Sequence, residues 1–110
     1  MAFYGHDPVP TIDADTAAAE LEHGARMIDV GEPDDWFKGY IKGALLVEPE
    51  LIDVEVKKLR GVPKLIVAAR DQNLAEEVTA ALREKHWDAV ALDGGPGAWQ
   101  KSGREVVHTR

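Results

Sequence analysis

The run Lys64-Leu65-Ile66-Val67-Ala68-Ala69 constrains this chain more than any other stretch, because nothing polar follows its first residue. Successive side chains of a strand point to opposite faces, so a strand with one wet face alternates. A strand that stays apolar on both faces is covered on both, as in the middle of a parallel sheet under helices. Parallel neighbours are joined by long crossovers, usually helical, and the flanking sequence supplies them. Arg26-Met27-Ile28-Asp29-Val30, Ala44-Leu45-Leu46-Val47 and Asp88-Ala89-Val90-Ala91-Leu92 read as further strands. Asp13 to Gly24 reads as a helix, with Asp13 as N-cap, a face of Ala14, Ala17, Ala18 and Leu21, and Gly24 as the stop. Pro33 to Lys38 reads as a brief helix with Pro and acids in its first turn, and Gly39 and Gly43 bracket a turn. Asn73 and Glu76 form a capping-box pattern ahead of the clearest helix, whose apolar face is Leu74, Val78, Ala81 and Leu82. Glu50 to Arg60 fits a strand through Ile52, Val54 and Val56, or a helix through Ile52, Val56 and Leu59; its acidic start and basic end favour the helix. Gly94-Gly95-Pro96-Gly97 turns into a last helical turn around Ala98-Trp99. Strands alternating with helices predict an α/β fold, a mainly parallel sheet with helices on both faces.

A length of 110 residues supports one core, so residues 1–110 are expected to form one domain, with frayed ends over about 1–10 and 105–110. Thirteen Lys and Arg against 20 Asp and Glu give a formal net charge of −7, which argues against nucleic acid or an anionic membrane as partner. The start, Met1 to Pro8, shows no basic region followed by an apolar run, and no stretch approaches the roughly 20 apolar residues of a membrane span. A cytoplasmic location is expected. The chain has no cysteine, which excludes disulfides, cysteine-based metal sites and any thiolate nucleophile.

In open parallel sheets the ligand site lies beyond the carboxyl ends of the strands. The prime position here is the loop leaving the central strand, Ala69-Arg70-Asp71-Gln72-Asn73-Leu74, where backbone N–H groups and a helix dipole favour an anion. The plain alternative is a capped strand–helix connection without a ligand.

Three stretches in order resemble the rhodanese-like (sulfurtransferase) domains. Ile28-Asp29-Val30 is similar to that family's first-strand Ile-Asp-Val. Gly39-Tyr40-Ile41-Lys42-Gly43-Ala44 is similar to its Gly-His-Ile-Pro-Gly-Ala, with Tyr40 and Lys42 substituted. Leu92-Asp93-Gly94-Gly95 with Ala98-Trp99 and Gly103 is similar to its terminal Leu-Glu-Gly-Gly…Ala-Trp…Gly. The resemblance covers nearly the whole chain and implies a five-stranded sheet with the active-site loop after the strand ending at Ala69. Active members open that loop with a cysteine that carries a persulfide, in the pattern Cys-Arg-x-Gly-x-Arg and a small hydroxyl residue. Here Ala69 holds the nucleophile position and Arg70 is kept. Asp71, Gln72 and Leu74 depart from the pattern, and Ala75 replaces the hydroxyl residue. A methyl group carries no nucleophile, so sulfur transfer by that route is closed. A single engineered replacement would leave the rest of the loop family-like; this loop departs at several positions, which favours natural loss.

From Ala69 through Glu77 one cation, Arg70, faces three anions, Asp71, Glu76 and Glu77. Like charges about 4 Å from a bound anion cost roughly 1 kcal/mol each in water and about 4 at a semi-buried site, so thiosulfate and phosphate are expected to bind poorly.

The remaining polar residues assemble no second site. His6, His23, His86 and His108 lack metal-ligand spacing, and no metal or cofactor is expected. Ser102, the sole serine, has no nucleophile-elbow glycines and reads as a turn residue. Asp29, at a strand end, is expected to hydrogen-bond backbone, and Trp87 and Trp99 to pack. In the family's arrangement Trp36 and Tyr40 lie on the loop side, walling a shallow pocket or facing a partner. The candidate binding residues are therefore Arg70, Asp71, Gln72, Asn73, Leu74, Ala75, Asp29, Trp36 and Tyr40. The expected function is a catalytically inactive module that binds a protein partner. The alternatives are a small-molecule binder using the old pocket and an enzyme of new mechanism, for which no nucleophile–base pair is present.

Overall fold

The computed structural model describes residues 7–108. His6 and the other residues of the expected frayed start at 1–6 lie outside that range, as do 109–110. In chain order the elements are β1 (Thr11–Ile12), α1 (Ala14–Glu22), β2 (Arg26–Val30), α2 (Pro33–Phe37), β3 (Tyr40–Ile41), β4 (Leu45–Val47), α3 (Ile52–Glu55), β5 (Leu65–Ala69), α4 (Gln72–Glu84), β6 (Ala89–Leu92), α5 (Gly95–Lys101) and β7 (Val106–Val107). Five strands form one parallel sheet in the order β1-β6-β5-β2-β4, with Ile28 opposite Val67 and Leu45, and Val67 opposite Ala91. The all-apolar run is the middle strand, and every residue of β5 is buried.

Period-two alternation divides the core. Leu65, Val67 and Ala69 of β5, with Ile28 and Val30 of β2, pack against Ile52, Val56, Leu59, Val78 and Leu82 on the α3–α4 side. Ile66 and Ala68, with Met27, Val90 and Leu92, pack against Ala14, Ala17 and Trp99 on the α1–α5 side. Helices cover both faces, as the apolar run requires.

Four local readings are corrected. The stretch from 49 to 59 is helical but not one α-helix. 3₁₀ turns at Pro49–Leu51 and Val56–Leu59 flank the short α3, while Ile52, Val56 and Leu59 still face inward at helical spacing. The capping box at Asn73 and Glu76 does not form. Asp71 is the N-cap and its side chain accepts from the Asn73 N–H, so α4 starts earlier, at Gln72. The last helix begins at Gly95, not around Ala98, because Gly94 caps it in the left-handed conformation. The turn bracketed by Gly39 and Gly43 contains a strand, since Tyr40–Ile41 pairs antiparallel with Val106–Val107.

Candidate functional site

The loop after β5 is held by polar contacts on three sides. Behind it, Ala69 ends the central strand opposite Val30, is 1% exposed, and belongs to the α3–α4 half of the core. Asp71 closes the head of α4: its carboxylate accepts from the Asn73 N–H at 3.0 Å, and its carbonyl accepts from the Ala75 N–H at 3.1 Å. The chain's own carboxylate thus stands at a helix N-terminus, where an external anion would be attracted.

Arg70 reaches away from that helix. Its Nε donates to the Asp35 carbonyl at 3.2 Å and its Nη2 to the Lys38 carbonyl at 2.6 Å. Both carbonyls belong to the last turn and C-cap of α2, where a cation also meets the negative end of the helix dipole. Gln72 ties the loop to the turn after β6: its Oε1 accepts from the Gly94 N–H at 3.0 Å, while its Nε2 donates to Glu76 at 3.2 Å. Beside that turn, Gly95 has φ +59°, and a Cβ on it would lie 2.2 Å from the Ala69 carbonyl oxygen. Only a residue without a side chain permits this approach.

Asp29 of β2 is 2% exposed, and its Oδ2 accepts from the Ile41 N–H at 3.1 Å, the backbone hydrogen bond its strand-end position suggests. Burial pushes its carboxyl up to about 6 from the ordinary 3.8. The Ile41 hydrogen bond and the Arg70 charge oppose that rise, and Asp35 adds to it. Trp36 lies on α2, and its indole N–H is buried with no hydrogen-bond partner among the described residues. Tyr40 is half-buried on β3, Leu74 packs against the core, and Ala75 is fully buried.

A pocket of about 90 Å³ opens between these loops, lined by Lys38, Gly39, Arg70, Pro96, Gly97 and Gln100, with Val106 of β7 closing one side. Of the residues singled out from sequence, Arg70 lines it. Asp71, Gln72, Asn73, Leu74, Ala75, Asp29, Trp36 and Tyr40 do not line it. Lys38, Gln100 and the Pro96-Gly97 edge were missed, although the Gly94 to Gly97 cluster marked a tight loop. The count of three acids against one cation does not describe this lining, which carries two cations and no carboxylate. Asp71 is spent on its own helix, Glu76 sits beside Gln72, and Glu77 is exposed.

Among the described residues, the carboxylate oxygens of Glu32, Glu48 and Glu50 lie within 4.8 Å of one another, beyond β2 and β4. Exposed acids often converge so without a metal. Among the described residues, His23, His86 and His108 contribute no ligand to such a group. The His23 ring bonds the Ala19 carbonyl, and the Ser102 hydroxyl the Trp99 carbonyl, both local caps.

Residues 13–102 match the rhodanese-like domain family. Among solved structures, the chain is similar to the thiosulfate sulfurtransferase of Pseudomonas aeruginosa, with a TM-score of 0.81 and 24% identity over 92% of this chain. It spans only 20% of that protein's length. It is also similar to a rhodanese-related protein of Thermoplasma volcanium, with a TM-score of 0.77 and 22% identity over 91% of this chain and 99% of the other. A rhodanese-like domain from Anabaena gives a TM-score of 0.76 and 23% identity over 91% of this chain and 80% of the other. Likeness at these identities is likeness of fold.

Proposed function

The chain belongs to the rhodanese-like family, and from that premise we propose that it acts without sulfur transfer, as a cytoplasmic interaction or regulatory module for a protein partner. One observation carries the reading: the chain has no cysteine anywhere, and the motif resemblance puts Ala69 at the position where the family keeps its nucleophile. The surroundings support it. Polar groups of this loop and the turn beside it are engaged within the chain: Arg70 through Nε and Nη2 with carbonyls of α2, the Asn73 N–H with Asp71, and the Gly94 N–H with Gln72. What persists is a rigid scaffold presenting loops at the carboxyl ends of its strands. Cross-linking and capture from the native cytoplasm tests the reading. A specific, reproducible partner supports it, whereas thiosulfate:cyanide turnover by the unmodified protein refutes it.

A second reading, a small-anion binder, draws on the pocket lining of Lys38, Arg70 and Gln100 without a carboxylate. Arg70 Nη1 and Lys38 Nζ have no hydrogen-bond partner among the described residues. A thermal shift with phosphate or thiosulfate that disappears in Arg70→Ala favours this reading over the first; no shift removes it.

A further inference from the structure

At the opposite end of the sheet, where β5 and β6 begin, a cleft of about 270 Å³ is lined by Asp53, Val56, Lys57, Arg60, Lys85 and Trp87. We infer that this cleft is a binding site for a small aromatic carboxylate, separate from the loops around Ala69. Charge is the first argument. In a chain of net charge −7, this lining carries three cations and one acid, and the acid is neutralised: Lys85 Nζ meets the Asp53 carboxylate at 2.5 Å. The side chains of Lys57 and Arg60 have no hydrogen-bond or ion-pair partner among the described residues, so two exposed cations remain for a ligand's anionic group.

The second argument is the aromatic wall. Trp87 is half-buried against the core, and the turn that ends α4 fixes its place. The Trp87 N–H bonds the Leu82 carbonyl and the His86 N–H the Arg83 carbonyl, each at 3.0 Å, the paired bonds of a helix C-terminal motif that normally uses glycine. Here His86 takes the left-handed position, φ 72°, the sole non-glycine to do so among the described residues. The turn therefore fixes the Trp87 backbone, and the side chain packs against the core. Its faces carry no cation: the guanidinium stacked on an indole among the described residues is Arg104 on Trp99, at 5.4 Å.

Size selects the class. Drug-sized ligands fill roughly 300–1,000 Å³, so a cleft just below that range suits one or two fused rings with a carboxylate, the ring against Trp87 and Val56 and the anion toward Lys57 and Arg60. Binding alone is assigned to the cleft, since its one carboxylate, Asp53, is engaged by Lys85.

The probe is naphthoate, titrated into the ¹⁵N-labelled full chain, with naphthyl methanol as its uncharged counterpart. The expected result is saturable shifts of the Trp87 indole N–H and of backbone amides in 56–60 and 85–87, with those of 69–74 unmoved. Affinity is expected to fall at least about tenfold for naphthyl methanol and for the combined Lys57→Glu and Arg60→Glu variant, whose exposed side chains leave folding intact. Three outcomes each overturn the inference: no saturation by about 10 mM, equal binding of the uncharged probe, or unchanged affinity in the double variant.

Discussion

Gly95→Ala is the sharpest perturbation of the scaffold around Ala69. At φ +59° an L-residue costs roughly 1–2 kcal/mol, because its Cβ crowds the following carbonyl. The new Cβ would also lie 2.2 Å from the Ala69 carbonyl oxygen, a backbone atom with no rotamer to escape into. Close carbon–oxygen contacts start near about 3.3 Å, so the α5 turn must retreat by about 1 Å. Overpacking of that kind adds roughly 1–3 kcal/mol, for a total near 2–5. A domain of this length has about 5–15 kcal/mol to lose. With a urea slope of about 1–3 kcal/mol per molar, the unfolding midpoint is expected to fall by at least about 0.7 M. Gly97→Ala is the control, two residues further along the same helix. Its added Cβ meets nothing within 4 Å and its φ is ordinary, so it is expected to stabilise by roughly 0.5–1 kcal/mol. Urea titrations followed by circular dichroism read both variants. A Gly95→Ala midpoint within about 0.2 M of the parent refutes the claim that close packing of this turn on Ala69 shapes the site.

Asp29 gives a pH dependence of defined sign. Its folded carboxyl titrates near 6, above its unfolded value, so the folded state holds the proton more tightly. Its contribution is most favourable below about pH 4 and is lost as pH rises through about 6. The loss amounts to about 3 kcal/mol at most, and Asp29→Asn, which keeps an acceptor for the Ile41 N–H, should be the more stable protein at pH 8 and flatten the profile. Urea midpoints of both proteins between pH 4 and 8 decide this, and parallel profiles contradict it. Asp71→Ala removes the cap of α4 and is expected to cost about 1 kcal/mol in a thermal melt, with Asp71→Asn largely restoring it. Arg70→Ala frees the Asp35 and Lys38 carbonyls, and should cost about 1–2 kcal/mol while raising amide exchange at Lys38 and Gly39 above that in β5; equal exchange in parent and variant contradicts the strap role.

What was legible in the sequence followed element length and burial. The run at Leu65–Ala69 announced a doubly covered strand because five successive apolar residues have no other economical place. Thr11–Ile12, which completes the five-stranded sheet, and the pair Tyr40–Ile41 with Val106–Val107 are two residues each, too short for a period to show. The Asn73 and Glu76 signal lost to Asp71 because an acid two residues earlier reaches the same free N–H groups. In the site, the order of three motifs pointed to the loop after β5, whereas the pocket lining was out of reach. Lys38, Arg70 and Gln100 come from the end of α2, the loop after β5 and helix α5, which meet only through the sheet order, and a charge count along one segment says nothing of which side chains turn inward.

Sulfur transfer by Ala69→Cys tests most directly whether this is a retired site or merely one missing an atom. The substituted side chain would sit 1% exposed in an apolar half-core, beside a helix already capped by Asp71 and an arginine strapped to α2, so its thiol would ionise poorly. Thiosulfate:cyanide turnover by this variant is expected to stay near the no-protein rate, with no persulfide adduct by intact mass. Robust turnover with a persulfide on residue 69 would contradict the account, because the loop would then have lost its nucleophile and nothing else.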